Sequence, residues 1–310
     1  MSRMTRVVTL LAASLVVAAL AGCATGQTEA PAALSVMPAA AQTAQTILDV
    51  GGLERAVTIR DTEAASTALV PAMILLHGAT GDSARAENGT GMTELAKANG
   101  FVVAYPDGTT TGRPIGGNAW NAGRCCAQPV VDDIDDVAFI EALIDELVAH
   151  HGVDPTRIYM GGFSNGGMMS YRAACEIGDR LAGIFVVGGA FNVDECAAPR
   201  ALPVLIIHGD ADATVPYDGG EPNPVTAERL GTWVNAPVSD AVSFWFDRDS
   251  CTGSSRTRNG TASLRLFSGC AEGSGLELVT VAGGRHQWPT DLTEGFDASG
   301  FIVGYFGLAA

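Results

Sequence analysis

Short apolar runs recur along the chain, and none of them follows the 3.6-residue period of an amphipathic helix. Each is only four to six residues long, which is typical of a strand whose two faces are both buried. Another segment, residues 55–60, alternates apolar and polar side chains and predicts an edge strand. The runs that predict buried strands are residues 71–76, 101–105, 157–160, 183–187, 203–207 and 276–281.

Helical patterns lie between these runs. Residues 93–99 form a short one, and the clearest extends from Asp135 to His150, just before Gly152. Because strands alternate with helices, we predict a three-layer α/β sandwich around a mostly parallel central sheet. In such a sheet the reacting groups collect at the carboxyl ends of the strands. The apolar face of the long helix contains Val137, Ile140, Ile144, Leu147 and Val148.

The N-terminal segment is predicted to be an export signal. Two arginines precede an apolar run over residues 7–20, which is too short to cross a bilayer comfortably. The run ends in Leu-Ala-Gly-Cys at residues 20–23, which resembles the lipobox of bacterial lipoproteins, whose cysteine carries the lipid. We therefore expect a signal peptide at residues 1–22 and lipidation of Cys23. An ordinary secretory signal that is cleaved nearby is the alternative.

The rest of the chain is predicted to contain a tether and one domain. Residues 23–48 are rich in Ala, Gln, Thr and Pro without a sustained apolar period, so we interpret them as a flexible tether. Residues 49–310 suffice for one large catalytic domain with a buried core. No later stretch reaches the length of a transmembrane helix. We therefore expect an extracytoplasmic protein that contacts the membrane only through its lipid anchor.

The formal net charge is −16, and removal of the export signal with its two arginines leaves about −18. Such a surface repels nucleic acid and anionic lipid. We therefore expect no nucleic-acid partner, and the acidic balance favours neutral or weakly polar substrates. The sequence leaves the oligomeric state open.

The seven cysteines are an odd number, and the expected lipidation of Cys23 accounts for the odd one. In an exported protein the other six predict three disulfides. Cys251 and Cys270 flank a polar, Gly- and Ser-rich stretch and are expected to form one local bridge. No histidine lies at ligand spacing among the cysteines, so no metal site is expected. The six cysteines are Cys125, Cys126, Cys175, Cys196, Cys251 and Cys270.

The adjacent cysteines Cys125 and Cys126 raise a question of pairing. A bridge between neighbouring residues would close a strained ring, so we expect the two to have different partners. Cys175 and Cys196 are then left for them, in an order that the sequence does not decide.

The strand predicted at residues 157–160 is followed by a glycine-rich turn that contains the motif G-x-S-x-G at residues 162–166. In this motif the serine occupies a sharp strand-to-helix turn, and the residues two before and two after it must be small to let the backbones pass. A helical pattern follows at once, so the context agrees with the motif. We predict that Ser164 is a nucleophile.

A serine hydroxyl needs a base to activate it and a carboxylate to orient that base. The chain order expected with this turn is serine, acid, histidine, and only His208 and His286 follow Ser164. His208 lies at a strand end, where a core or supporting role is expected, whereas His286 lies in a loop after the last predicted strand and is the better base. Of the two aspartates that follow the preceding strand, Asp212 lies deeper in the loop than Asp210 and is the preferred acid.

Acyl transfer also places negative charge on the carbonyl oxygen of the substrate, and this charge needs preorganised N–H donors. The backbone N–H of Asn165, at the start of the helix after the nucleophile, is expected to be one donor. The second donor is expected in the loop after an early strand, where we assign the N–H of Ala79. We interpret the neighbouring His77 as a structural hydrogen-bonding residue.

Several short motifs run in a fixed order over roughly residues 50–308. They are LLHG at 75–78, YPDG at 105–108, WNAGRCC at 120–126, DIDDVAF at 133–139, GFSNGGM at 162–168, HGDAD at 208–212, VPY at 215–217 and HQWP at 286–289. Together they resemble the polyhydroxybutyrate depolymerase-like esterases, a family of α/β-hydrolases that includes feruloyl esterases, acetyl xylan esterases and bacterial lipoproteins.

This resemblance implies the α/β-hydrolase fold and a catalytic triad of Ser164, Asp212 and His286, in agreement with the prediction from the residues. It also supports the local disulfide described above. Trp120 and Trp288 are implied as aromatic walls of the substrate pocket, with core packing as the alternative for each.

We therefore predict a secreted, lipid-anchored serine ester hydrolase that forms an acyl-enzyme and needs no metal or cofactor. Its expected substrates are small or polymeric esters: feruloyl or acetyl esters, or short polyhydroxyalkanoates. A serine peptidase is one alternative, although such peptidases usually carry an added domain for which this length leaves no room. A non-catalytic lipoprotein that binds a surface partner is the other, although such proteins usually lose one triad residue.

Overall fold

Ten strands form one mixed sheet in the computed structural model, which describes residues 45–309. Two further short strands pair with each other outside this sheet. The strands are β1 (Thr46–Val50), β2 (Leu53–Arg60), β3 (Val70–Leu76), β4 (Val102–Pro106), β5 (Thr109–Thr110), β6 (Asn118–Ala119), β7 (Val153–Phe163), β8 (Gly183–Val187), β9 (Pro203–Gly209), β10 (Gly253–Asn259), β11 (Ala262–Ser268) and β12 (Gly275–Val281).

Helices cover both faces of the sheet. They are α1 (Ser83–Thr90), α2 (Met92–Asn99), α3 (Ala127–Val131), α4 (Asp136–His150), α5 (Asn165–Ile177), α6 (Pro224–Leu230), α7 (Val238–Arg248) and α8 (Ala298–Tyr305), with short 3₁₀ turns at Glu63–Ser66 and Gly178–Arg180. Within the part of the chain that the structure describes, no helix has the length and apolar character needed to cross a bilayer.

The order of strands across the sheet is β1-β2-β4-β3-β7-β8-β9-β12-β11-β10. The six strands from β4 to β12 are parallel to one another. The hairpin β1–β2 joins one side of this parallel core in antiparallel pairing, and the hairpin β10–β11 joins the other side. The mostly parallel sheet predicted from the sequence is confirmed.

Alternating side chains of the central strands enter two separate cores. In β3, Ile74 and Leu76 pack into the core under α4, α5 and α7. Met73 and Leu75 pack into the opposite core under α1, α2 and α8. Successive residues of a strand point to opposite faces, so a strand covered on both sides needs an unbroken apolar run. This arrangement is the predicted three-layer sandwich.

Helix α4 has the apolar face predicted for it. Its N-cap Asp135 accepts a hydrogen bond from the N–H of Ala138 at 2.9 Å, which satisfies one of the free donors of the first turn. The predicted face packs against β7 and α5, with Val148 partly buried at its end.

The predicted boundary between tether and domain is wrong by a few residues. Residues 46–48 belong to β1, which pairs with β2 in a register that places Thr46 opposite Val57. The segment 55–60 therefore lies inside β2, one strand in from the edge, because β1 covers it. The rest of the expected tether and the expected signal peptide lie outside the described residues.

The β10–β11 hairpin has no counterpart among the predicted strands. β10 is the outermost strand of the sheet, and its seven residues, GSSRTRN, are exposed or half-exposed. An edge strand with solvent on both faces carries no apolar alternation, so its sequence resembles a loop. The disulfide Cys251–Cys270 closes the base of this hairpin, as the sequence predicts.

The pairing expected for the other four cysteines is wrong. The structure joins Cys175 to Cys196 and Cys125 to Cys126. Cys175 lies on α5, and the segment after β8 returns to this helix and brings the Cα of Cys196 within 4.8 Å. Because Cys175 and Cys196 are bonded to each other, the adjacent cysteines Cys125 and Cys126 have only each other as disulfide partners among the described residues.

Candidate active site

Ser164 lies at the turn between β7 and α5, where its backbone has φ 55° and ψ −120°. A residue with a side chain rarely adopts positive φ, and such strain is held only where the surroundings fix it. Here the glycines on both sides permit the close approach of chains. A Cβ on Gly162 would lie 2.6 Å from the carbonyl oxygen of Leu76, and one on Gly166 would lie 2.5 Å from that of His77. The small residues of the motif are therefore required by backbone contact.

The loops after β9 and β12 bring Asp212 and His286 to this turn. His286 Nε2 lies 2.9 Å from Ser164 Oγ, and His286 Nδ1 lies 2.6 Å from Asp212 Oδ2. An ionised carboxylate only accepts hydrogen bonds, so Nδ1 carries the proton and Nε2 is free to accept from the serine hydroxyl. The aromatic ring of Phe163 packs against the imidazole with ring centroids 4.8 Å apart, which limits its rotation.

Asp212 is kept ionised by its hydrogen bonds. Burial raises its pKa, but the neighbouring imidazoles of His208 and His286, with the N–H of Val215, outweigh this and hold the pKa well below its usual range. Its Oδ1 accepts from the N–H groups of Thr214 and Val215, each at 2.8 Å. A carboxylate in this state orients an imidazole and stabilises it when it is protonated.

His208 and Asp210 lie beside the contacts of Ser164, His286 and Asp212 and take no part in them. His208 is buried, donates through Nε2 to the carbonyl of Val215 at 2.9 Å, and lies 3.5 Å from Asp212 Oδ2. Asp210 is exposed and accepts from the N–H of Gly283 at 2.6 Å, so it connects the loops after β9 and β12.

The backbone N–H groups of Asn165 and Ala79 both lie beside Ser164. Asn165 is the first residue of α5, so its N–H has no acceptor within the helix. Among the described residues, the N–H of Ala79 also has no hydrogen-bond acceptor. The loop that carries Ala79 touches the serine, because a Cβ on Gly78 would lie 3.3 Å from the Cβ of Ser164. Ala79 thus lines the same cavity as Ser164, and Asn165 directly follows the serine in the chain.

His77 supports this loop as a neutral hydrogen-bonding residue. Its Nε2 accepts from the N–H of Gly108 at 2.9 Å and its Nδ1 donates to the carbonyl of Gly78 at 2.8 Å. Burial lowers the pKa of His77 against the opposing effect of nearby groups such as Asp107. The ring is therefore held in one tautomer.

The assignment of Trp120 to a pocket wall is wrong. Its side chain is fully buried, so it cannot contact a substrate. Its indole Nε1 donates to the carbonyl of His77 at 2.9 Å, and its backbone N–H donates to Asn165 Oδ1 at 2.8 Å. Trp120 is thus a core residue that joins the loop before Ala79 to the start of α5.

Two cavities adjoin at Ala79 and Phe163. The first, of about 250 Å³, contains Ser164 and His286 and is otherwise lined by both polar and apolar side chains from α6 and nearby loops. The second, of about 260 Å³, is mainly apolar and has Trp288 in its wall. Trp288 also donates through Nε1 to Ser299 Oγ at 2.9 Å. Trp288 therefore lies beside the cavity of the serine and not inside it.

Residues 58–224 match the family model described as phospholipase/carboxylesterase. This segment is more than half of the chain, and it contains both Ser164 and Asp212. The chain belongs to the phospholipase/carboxylesterase family. Members of this family are ester hydrolases by name, and the predicted α/β-hydrolase fold and the resemblance stated from the sequence are confirmed.

Similar proteins include esterases of fungi and bacteria. Feruloyl esterase B of Piromyces equi is 31% identical over 223 residues, which cover 70% of this chain and 39% of that protein. NocK of Nocardia uniformis subsp. tsuyamanensis, which carries a provisional esterase name, is 32% identical over 234 residues, covering 71% of this chain and 65% of that protein. The chain thus spans less than two thirds of the length of each.

A solved structure of an acetyl xylan esterase from Aspergillus awamori has the same fold. Its TM-score is 0.60 at 14% identity, and the match covers 86% of this chain and all of that one. At this identity the likeness concerns the arrangement of strands and helices alone.

The site of this phospholipase/carboxylesterase family member contains residues that the sequence did not reveal. Phe163 directly precedes Ser164 in the motif, and its contact with His286 follows from the geometry of the turn. Arg229 on α6 lines the serine cavity without any sequence signal, because its position depends on how the loop after β9 folds. Within residues 45–309, no group of three His, Cys, Asp or Glu side chains is arranged to hold a metal ion.

Proposed function

We propose that the protein is a serine carboxylesterase with Ser164 as nucleophile, His286 as general base and Asp212 as the orienting acid. The observation that carries this proposal is the continuous contact from Asp212 Oδ2 to His286 Nδ1 at 2.6 Å and from His286 Nε2 to Ser164 Oγ at 2.9 Å. The family of the chain supports the reaction class.

In the proposed reaction, Ser164 Oγ attacks the ester carbonyl while its proton passes to His286 Nε2. The imidazolium then protonates the leaving alcohol, and the acyl group remains on Ser164 as an ester. Water attacks this acyl-enzyme, gives its proton to His286, and releases the acid together with the free serine. Asp212 stabilises the imidazolium in both steps, and no cofactor takes part.

We assign the negative charge of the tetrahedral intermediates to the N–H groups of Asn165 and Ala79. Both groups lie beside Ser164, and the N–H of Ala79 has no other partner among the described residues. Donors that are already in place need no reorganisation when the charge develops, which is the basis of their effect on the rate.

Feruloyl or acetyl esters, or short polyhydroxyalkanoates, are the proposed substrates. The name of the Piromyces equi relative supports the first group. The two adjoining cavities, of about 250 and 260 Å³, suit a short acyl group or one aromatic ring. Comparing kcat/KM for methyl ferulate, acetylated xylan and hydroxybutyrate oligomers will rank these classes.

Export and lipid anchoring at Cys23 are also proposed, on the motif at residues 20–23. Cys23 lies outside the described residues. Expression of the full chain in a bacterium supplied with radioactive palmitate is expected to label the wild type and leave Cys23→Ser unlabelled. Labelling of both proteins would contradict the assignment.

A fluorophosphonate probe tests the esterase proposal directly, because it reacts covalently with an activated serine. We expect labelling of the wild type and of Ser254→Ala, a control on the exposed strand β10. Ser164→Ala is expected to remain unlabelled and to lose on the order of 10⁶ in kcat with p-nitrophenyl acetate. Near-normal turnover by that variant would reject the proposed nucleophile.

A further inference from the structure

Arg229 lies in the wall of the cavity that contains Ser164 and His286. Its guanidinium has no ion-pair or hydrogen-bond partner among residues 45–309, in contrast to Arg55, Arg60 and many other arginines of the chain. Glu228 precedes it in α6, but adjacent positions of a helix do not face each other. The cavity thus has one exposed cation in its wall.

The lining of this cavity contains no carboxylate. Its remaining polar groups are the hydroxyls of Thr80, Thr214 and Thr226. Thr214 Oγ1 accepts a hydrogen bond from Asn223 Nδ2 at 3.1 Å, so its own hydroxyl proton is available to donate. A guanidinium and donor hydroxyls without an acidic counterpart form a surface that suits an anion.

Three more arginines without acidic partners among the described residues lie close, in space or in sequence, to residues that line this cavity. A guanidinium nitrogen of Arg113 lies 3.3 Å from the place that a Cβ on Gly231 would occupy, just after α6. Arg285 directly precedes His286, and Arg85 donates to the carbonyl of Thr80 at 3.0 Å. The other arginines without ion pairs either bind backbone carbonyls or lie on the β10–β11 hairpin.

This local charge opposes that of the whole protein. The chain has a formal net charge of −16, so its average field repels an anionic substrate. A concave site lined by one sign of charge instead concentrates ligands of the opposite sign near its mouth. The arginines around the serine cavity therefore have an effect that the net charge does not predict.

We propose that Arg229 forms a carboxylate subsite, so that the preferred esters carry a carboxylate close to the scissile bond. This inference rests on the proposed esterase function. The planar guanidinium binds the carboxylate through two N–H donors, Thr214 donates to the same group, and the ester carbonyl is thereby held at Ser164. The carboxylate belongs either to the acyl part, as in a monoester of a dicarboxylic acid, or to the alcohol part, as in an ester of a hydroxy acid.

Two pairs of substrates show whether the carboxylate belongs to the acyl part or to the alcohol part of the ester. Mono-p-nitrophenyl glutarate and its glutaramate analogue differ only in a carboxylate or a neutral amide on the acyl side. 4-Acetoxybenzoate and 4-acetoxybenzamide differ in the same way on the alcohol side. We expect the wild type to prefer the carboxylate in one pair by about fivefold in kcat/KM, the size typical of an exposed charge contact, and to lose this preference at high salt.

Arg229→Gln is expected to remove the preference, so that the ratio of kcat/KM between the carboxylate and the amide member of the pair falls to about one. Arg258→Gln, on the distant strand β10, makes the same change of charge and is expected to keep the preference. Equal turnover of both members of each pair by the wild type would overturn the subsite, as would a preference that survives Arg229→Gln or falls equally in Arg258→Gln. Absence of hydrolysis of all four esters would instead reject the esterase proposal itself.

Discussion

Asn165 holds Trp120 with both atoms of its side-chain amide. Oδ1 accepts from the N–H of Trp120 at 2.8 Å, and Nδ2 donates to its carbonyl at 3.1 Å. The indole of Trp120 in turn donates to the carbonyl of His77, two residues before Ala79. The two proposed oxyanion donors, Asn165 and Ala79, therefore belong to one hydrogen-bonded unit that a single buried tryptophan joins.

Trp120→Phe tests this unit, because it keeps an aromatic ring and deletes one N–H. The carbonyl of His77 loses its indole donor, which costs about 1–3 kcal/mol at a buried site. We expect kcat to fall about tenfold with little change in KM, since the loop shift weakens contacts made mainly in the transition state.

Trp245→Phe is the matched control for this change. Trp245 is also fully buried, but its Nε1 has no hydrogen-bond partner among the described residues. This variant is expected to lose some packing stability and to keep its kcat. An equal fall of kcat in both variants would show that Trp120 contributes only packing.

His208 is expected to position Asp212 through the hydrogen bond network behind the triad. His208→Leu removes the Nε2–H group, which donates to the carbonyl of Val215 at 2.9 Å and, 3.5 Å from Asp212 Oδ2, helps to hold the pKa of Asp212 well below its usual range. We expect kcat/KM to fall by about tenfold or more and the acid limb of the pH–rate profile to move to higher pH.

His208→Gln provides the conservative comparison, because its amide nitrogen replaces the imidazole Nε2 as a donor. Partial recovery of the rate and of the acid limb is expected in this variant. If the leucine variant keeps the wild-type pH profile, His208 does not act on Asp212.

Asp249 is predicted to make stability depend on pH. The residue is fully buried at the end of α7, and neither carboxylate oxygen accepts a well-formed hydrogen bond. Burial raises its pKa to about 6, against the lowering effects of the Leu202 N–H and of Arg248. The folded state therefore binds the proton more tightly than the unfolded chain does, and stability falls as the pH rises from about 4 to about 6.

Asp249→Asn removes this penalty above the raised pKa. We expect the variant to be more stable than the wild type by about 3 kcal/mol at pH 8 and to show little gain near pH 3.5. Urea unfolding at the two pH values measures the difference. Asp247→Asn makes the same change at an exposed neighbour and serves as control. An equal gain at both pH values would contradict the assignment to ionised Asp249.

Removal of the Cys251–Cys270 disulfide is expected to lower stability more than activity. The bond closes a loop of about 20 residues that contains the β10–β11 hairpin, and constraining such a loop stabilises the fold by about 3 kcal/mol. The double variant Cys251→Ala/Cys270→Ala should unfold at lower urea and keep its kcat at 25 °C, because the hairpin lies at the sheet edge. A large loss of kcat with unchanged stability would contradict this expectation.

The buried strands and the three proposed catalytic residues were predictable from sequence for the same physical reason. A strand covered on both faces, such as β3, must be apolar throughout, and the strained turn at Ser164 requires glycine at Gly162 and Gly166. These constraints are local, so they leave a readable pattern.

The errors concern contacts that arise only when distant segments fold together. The family resemblance implies that Trp120 is a pocket wall. Its burial depends on how the segment before α3 lies against β3 and α5, which the sequence does not show. The partner of Cys196 depends on the return of its loop to α5. The sequence does not indicate that Arg229 lines the serine cavity, because a single arginine on a short helix is common and its spatial neighbours are known only from the structure.

The polar outer strand β10 has a consequence for how copies of the protein meet. An open strand edge offers unpaired N–H and C=O groups to any other chain in an extended conformation. Here that edge bears Arg256 and Arg258, whose like charges oppose one another when two such edges approach. The polar β10 edge therefore disfavours the addition of further strands and growth into fibres. An apolar strand like those of the interior would favour such growth if it lay at this edge.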